Sequence, residues 1–253
     1  MCSDRMAYTH NDYAQPVGLE VVAWSPPDAL EASSITGHYC RLERLDAGRH
    51  GDDLWAAWQQ PDSAIAADVD GQARWTYLGG RPFADLSGCR RWLAEMSADS
   101  ALQCFAVIDQ ADERAVGMGA YLNDVPADGR VEIGHLSFSS RMAGSRVSSE
   151  ALMLMMAEAF GKGYRRLEWK CDALNAASRR AAERLGFRYE GIFRQHCVVA
   201  GRNRDTAWYA VIDSEWPAIA AAQRRWLAPD NFDADGHQRQ GLASLMLAQE
   251  QEG

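Results

Sequence analysis

Residues 131–191 read VEIGHLSFSSRMAGSRVSSEALMLMMAEAFGKGYRRLEWKCDALNAASRRAAERLGFRYEG, and the order of elements in this stretch decides the fold. Residues 131–138 have the look of a half-buried strand. The small polar run 139–146 predicts a turn, and 148–160 a helix stopped by Gly161 and Gly163. Residues 167–172 alternate apolar and polar, a strand signal. Residues 175–185 predict a second helix closed by Gly186. Twice, then, a strand end leads into a helix N-terminus. Free N–H groups and the positive end of the helix dipole suit such a junction to a phosphate-bearing ligand.

Working outward from there, residues 1–37 carry Pro16, Pro26 and Pro27, with strand character only at 17–24, and read as an extension. Residues 38–45 alternate and predict the first core strand. Residues 48–60 predict a helix with Leu54, Trp55 and Trp58 on one face, capped by Asp52 or Asp53. Residues 61–80 are loop-rich, and 85–96 predict another helix. Residues 104–109 and 115–122 form a hairpin signal, and the polar turn 123–130 leads into 131–138. Beyond Gly191, residues 192–199 and 206–212 predict a hairpin with a longer loop over 201–205. Residues 214–227 predict a helix capped by Ser214, with Pro217 tolerated in its first turn. Residues 228–253 begin as a polar tail with one apolar run at 242–247. The whole reads as a mixed α/β fold: one domain over residues 38–227, built on one central mixed sheet flanked by helices.

Composition narrows the function. The 253 residues are 47% hydrophobic, enough for a real core, and the net charge is −9. With no run of Lys and Arg, phosphate neutralisation along a nucleic acid has no basis here. A negative surface favours a cationic partner. Six cysteines (Cys2, Cys40, Cys89, Cys104, Cys171 and Cys197) show no C-x-x-C spacing, which fits a reduced, cytoplasmic chain. The six histidines are scattered, so no metal site is expected. The polar N-terminus has no apolar signal-peptide core, and no apolar run is long enough for a bilayer.

Two periodicities bear on chemistry. Ser178, Ala181, Ala182 and Leu185 fall on one helix face, so Ser178 sits on the apolar stripe near the helix start. Along 131–138, Glu132, Gly134 and Leu136 share one strand face, and Val131, Ile133 and His135 the other. Gly119 and Gly134, inside strands, fit bulges or a close backbone approach.

The motif Asn175-x-x-Ser178 followed by Gly186-Phe187-x-x-Glu190-Gly191 resembles the RimJ/RimL-like branch of the GNAT N-acetyltransferase superfamily. So does Ser149-Glu150-Ala151 opening a helix after EIGHLSF. The resemblance spans residues 38–213. It implies the GNAT fold and transfer of an acetyl group from acetyl-CoA to a primary amine, either a protein N-terminus or a small molecule. It also implies binding of the cofactor pyrophosphate by backbone N–H groups at Q/R-x-x-G-x-G/A. Aligned on Glu150-Ala151, that motif falls on 143–148, where Ala143 and Arg146 depart from it. The departures leave three readings of Arg146: it pairs with a phosphate, its bulk closes the site, or it is a solvated surface residue.

The resemblance further implies cofactor contacts from the backbone of Leu136, Ser137 and Phe138, from Gly144, Ser145, Arg146, Val147, Ser148 and Ser149, and from Asn175 on the pantetheine arm. Ser178 is then the candidate proton donor to the leaving thiolate. Glu132 is the first candidate base for the amine, with His135 and Asp172 behind it. Trp75 and Tyr77, on a loop, are candidates for an acceptor pocket, while Trp55, Trp58 and Trp92 read as packing. The alternative is a non-catalytic acyl-CoA-binding or interaction module on the same fold. The tryptophan-rich helices permit a homodimer.

Overall fold

The computed structural model describes residues 7–62, 65, 68 and 70–252, so Cys2 and the start of the 1–37 extension lie outside the described residues. A small ladder of β1 (Tyr8–His10) and β2 (Pro16–Gly18) precedes the main sheet. That sheet contains β3 (Ser34–Thr36), β4 (Cys40–Arg44), β5 (Leu102–Asp109), β6 (Arg114–Val125), β7 (Arg130–Phe138), β8 (Arg166–Asp172), β9 (Arg188–Val199) and β10 (Arg202–Ile212). Their spatial order is β3-β4-β5-β6-β7-β8-β10-β9. Among the described strands β7 and β8 form the parallel pair, and every other neighbour is antiparallel. The sheet is central, mixed and flanked by helices.

Helices α1 (Ala47–Trp58) and α2 (Leu86–Ala98), with the 3-10 helix Ala73–Leu78, cover one face. Helices α3 (Arg146–Gly161), α4 (Ala176–Leu185), α5 (Trp216–Leu227) and α6 (Leu242–Glu252) cover the other. Helix α3 is apolar on most sides because it is the central helix of that layer, and Leu152, Met153, Met155 and Met156 are all buried. Trp58, Trp75, Phe83 and Trp92 form one aromatic cluster under α1 and α2, with ring centroids 5.3–6.0 Å apart. No helix among the described residues is long and apolar enough to cross a membrane.

The structure departs from the sequence reading at several element ends. Asp46, not Asp52 or Asp53, caps α1 by accepting the Arg49 N–H at 2.7 Å. Asp52 instead pairs with Arg90, and Asp53 accepts the Ala115 N–H. Ser214 does not cap α5. The N-cap is Glu215, whose side chain caps nothing in α5; it accepts the Ile212 N–H and pairs with Arg188. The β9–β10 connection is a two-residue turn, Ala200-Gly201, with φ 48° and 75°. Positive φ at both positions matches the strand twist, so 202–205 belong to the strand rather than a loop. The C-terminal segment is not only a polar tail: Phe232, Leu242 and Leu245 are buried against the α3–α5 layer. Within the extension, Leu30 is buried and β3 pairs with β4.

Candidate active site

The site begins where two strands separate. β7 and β8 pair from Arg130↔Arg166 to Ile133↔Trp169 and no further. Beyond that point β7 runs on through Gly134–Phe138 and β8 through Lys170–Asp172, with a gap between them. A bulge in β7 marks the same place. His135 has φ 49°, and two residues, His135 and Leu136, stand opposite Gly119 of β6. A Cβ on Gly119 would stand 2.9 Å from Leu136 Cδ2, which is the packing reason for that glycine.

The bulge overturns the simple alternation. Glu132 and Gly134 face the α1/α2 side, but Leu136 joins Phe138 on the α3 side, and Ser137 takes the α1/α2 side. Ser137 and Phe138 are also already engaged. Trp58 Nε1 donates to Ser137 O at 3.2 Å, and Arg74 Nη1 donates to Phe138 O at 2.8 Å. Of the three residues expected to offer backbone to the pantetheine arm, Leu136 is the one whose main chain takes no side-chain hydrogen bond among the described residues. Ser137 Oγ is buried with no hydrogen-bond partner among the described residues.

After β7, the turn 139–145 is held by Ser139, whose carbonyl accepts from Met142 and Ala143. Ser145 caps α3: its Oγ accepts the Ser148 N–H at 3.3 Å, and its carbonyl accepts from Ser148 Oγ and Ser149 Oγ. The N–H groups of Arg146 and Val147 are left without a partner among the described residues, as the first turn of a helix requires. Gly144 has φ 72°, and a Cβ there would meet nothing within 4 Å, so the turn is open to a ligand. The Arg146 side chain turns away from this end. Its guanidinium lies 4.7 Å from the Tyr39 ring and 4.8 Å from the Phe232 ring, so it is neither free in solvent nor folded over its own N–H group. Glu150 is structural: it accepts the N–H groups of His38, Tyr39 and Cys40 at 2.6–2.7 Å. Arg184 of α4 reaches Ser149 Oγ at 3.0 Å, placing a second guanidinium beside α3.

The β8–α4 junction follows the sequence reading closely. Asn175 Oδ1 accepts the Ser178 N–H at 3.0 Å and caps α4, and Gly186 ends the helix with φ 100°. Ser178 Oγ accepts from Trp169 Nε1 at 3.0 Å, so its partner is an indole across the core rather than a carbonyl one turn back. Burial raises the Cys171 thiol above its ordinary value, and a hydrogen bond from Ser178 works against that rise. Asp172 accepts the Leu174 N–H and shapes the turn into α4.

Glu132 is buried on the α1/α2 side. Its Oε2 accepts from Asn123 Nδ2 at 2.7 Å and Lys170 Nζ at 2.8 Å. Its Oε1 lies 3.6 Å from where a Cβ on Gly134 would stand, toward the bulge. His135 is exposed; its surroundings lower its pKa by desolvation, while Glu132 and Asp99 pull the other way. Trp75 is buried in the aromatic cluster. Tyr77 is at the surface, and its hydroxyl donates to Leu174 O at 3.1 Å, tying the 3-10 helix to the loop that holds Asn175.

Lys170, Trp208, Phe193 and His196 went unnoticed in the sequence. Trp208 packs against Phe193 with tilted rings, centroids 4.6 Å apart, and lies 6.1 Å from His196. The one available signal was Lys170 alternating with Glu168 on the polar face of a strand.

A model of the acetyltransferase (GNAT) domain matches residues 50–188. A GCN5-related N-acetyltransferase from Brucella melitensis is 44% identical, with TM-score 0.82, covering 88% of this chain and 98% of that one. A GNAT-family acetyltransferase from Chromobacterium violaceum is 36% identical, with TM-score 0.71, covering 80% and 98%. An acetyl transferase from Salmonella typhimurium that modifies the N-terminal serine of a 50S ribosomal subunit protein shares the fold at 19% identity, with TM-score 0.57, covering 71% and 98%. No curated protein matches the chain. The domain match and the two relatives above 30% identity place the parting of β7 and β8 in a known setting: the chain belongs to the GNAT acetyltransferase family, which indicates acyl transfer from acyl-CoA.

Proposed function

We propose that this protein is an N-acetyltransferase of the RimJ/RimL-like branch, moving the acetyl group of acetyl-CoA to a primary amine by direct attack in a ternary complex. The observation that carries the reading is the parting of β7 and β8 beyond Ile133 and Trp169, followed along the chain by the α3 start with the unpartnered N–H groups of Arg146 and Val147. The gap offers β7 main chain at Leu136 to an amide-bearing arm, and the helix end offers N–H groups to a pyrophosphate. Gly144, Ser145, Ser148 and Ser149 build the turn into α3, and Asn175 caps α4 just after β8 ends. Ser137 and Phe138 line the gap, with their carbonyls turned to Trp58 and Arg74. Because Arg146 stacks on Tyr39 and Phe232, the departure from the usual motif leaves the N–H end accessible.

The co-substrate supplies an activated acyl carbon; the chain supplies position and proton transfer. Glu132 takes a proton from the acceptor ammonium through Oε1, directly or through one water. The neutral amine bonds to the carbonyl carbon as the carbon–sulfur bond breaks, and its nitrogen then gives up a second proton to solvent, which leaves the neutral amide. Ser178 gives its hydroxyl proton to the departing sulfur and regains one from solvent. Tyr77 borders the acceptor side. A protein N-terminus and a small amine are both acceptors in this proposal, the first supported by the Salmonella relative.

Release of free coenzyme A thiol, measured with acetyl-CoA and a panel of N-terminal peptides and small amines, tests the reading. Amine-dependent release is expected. Binding of acetyl-CoA without release on any amine would favour the non-catalytic module.

A further inference from the structure

Lys170 is the first residue of β8 beyond its last pair with β7. Its ammonium is 2.8 Å from Glu132 Oε2, 3.0 Å from Glu168 Oε2 and 4.0 Å from the centroid of the Trp208 ring. The side chains of Lys170, Glu132 and Glu168 are 13%, 7% and 6% exposed. A buried cation is costly unless paired, so a lysine held this tightly in mid-strand calls for a reason.

The two carboxylates depend on it unequally. Glu168 has a second cation, because Arg166 Nε lies 2.9 Å from its Oε1, and Arg130 Nη1 approaches its Oε2 at 4.0 Å. Burial works to raise the Glu168 pKa, but the bonds from Arg166 and Lys170 outweigh it and hold it below the ordinary value. Glu132 has Lys170 alone for an ion pair among the described residues; its other partner, Asn123, is neutral. Also on this side are His135, Asp99 at the end of α2, Glu190, which is tied to Arg166, and His196, which bonds Thr206 beside Trp208. None of them is a cation in contact with Glu132.

We propose that Lys170 is a positioning residue for the transfer reaction. It sets a positive charge against the buried Glu132 carboxylate and, with Asn123, pins Oε2 so that Oε1 faces the opening where the acceptor amine loses its proton. Trp208 closes the outer side of the ammonium and keeps water from competing for it. The proposal rests on the reading of Glu132 as the base.

The test is the pH dependence of kcat/KM with a good amine acceptor, for wild type, Glu132→Gln, Lys170→Met and Lys170→Arg. In wild type the rate rises with pH through an acidic limb, and Glu132→Gln lacks that limb. Lys170→Met removes the compensating charge, so its acidic limb moves to higher pH by about one unit or more. Its kcat near neutral pH falls about tenfold while KM for acetyl-CoA stays as in wild type. Lys170→Arg recovers most of both. If Glu132→Gln keeps the wild-type limb, Glu132 is not the base, and that reading fails first. If Glu132→Gln loses the limb but Lys170→Met superimposes on wild type, Glu132 stands and the role of Lys170 is overturned. Should Lys170→Met fail to fold, the double variant Lys170→Met/Glu168→Gln leaves one buried carboxylate instead of two. An acidic limb at the wild-type pH in that variant would equally overturn the proposal.

Discussion

From Arg130 to Ile133, β7 is bonded to a strand on each side, and Val131, Glu132 and Ile133 are buried. From Gly134 to Phe138 it is bonded only to β6, holds a left-handed residue at His135, and faces a gap. The same nine-residue strand thus has a closed half that carries the carboxylate and an open half that offers backbone. The closed half gains its rigidity from burial and pairing on both sides. The open half is steadied from one side only, by Trp58, Arg74 and β6, which leaves its other edge for a ligand.

That contrast can be broken by mutation. The largest effect belongs to the closed half: Ile133→Ala empties a fully buried site and should cost about 3 kcal/mol, read from denaturant unfolding. Leu136→Ala in the open half should cost less than about 1.5 kcal/mol, since its side chain is only partly buried. Equal costs would mean that the two halves are packed alike.

Ligand should act in the opposite direction. At about one hundred times its dissociation constant, acetyl-CoA should stabilise the fold by about 2.7 kcal/mol in a thermal scan. No shift at millimolar concentration would remove the open half from any role in cofactor binding.

Ser178→Ala probes the far wall of the gap. It strands the buried Trp169 N–H and should cost roughly 1–2 kcal/mol. If Ser178 protonates the thiolate, turnover should also fall about a hundredfold with little change in KM for acetyl-CoA. A stability loss with wild-type turnover would make it a packing hydroxyl. The smallest effect has the reverse sign: His135→Gly relieves the left-handed conformation at the bulge and should stabilise by roughly 0.5–1 kcal/mol. Destabilisation would mean that the imidazole makes a contact worth more than the strain.

The elements were largely legible because their periodicities are strong. At the β8–α4 junction the helix and its closure at Gly186 are legible, since a helix end is a local backbone requirement. What escaped was non-local. Alternation cannot reveal a bulge, so Leu136 was assigned to the wrong face of β7. The partner of Ser178 and the stacking of Arg146 depend on Trp169 and Phe232, which sequence spacing does not bring together; the cap of α1 is local, and Asp46 was missed because the helix starts earlier than its apolar face suggests. Trp75 and Tyr77 are two residues apart in one loop, yet one is core and the other surface, a split that only the packing of Trp58 and Phe83 decides. Lys170 was hidden for the same reason: its partners lie on three different strands.

Amide hydrogen exchange with and without acetyl-CoA tests the central claim most directly. The start of α3 has N–H groups with no partner among the described residues, and Leu136 stands on the part of β7 that β8 leaves unpaired, whereas the closed half is paired with a strand on each side. The account predicts slowed exchange at Leu136, Arg146 and Val147 on addition of acetyl-CoA, with little change at Val131–Ile133. Protection confined to other parts of the chain, with those three amides unaltered, would contradict it.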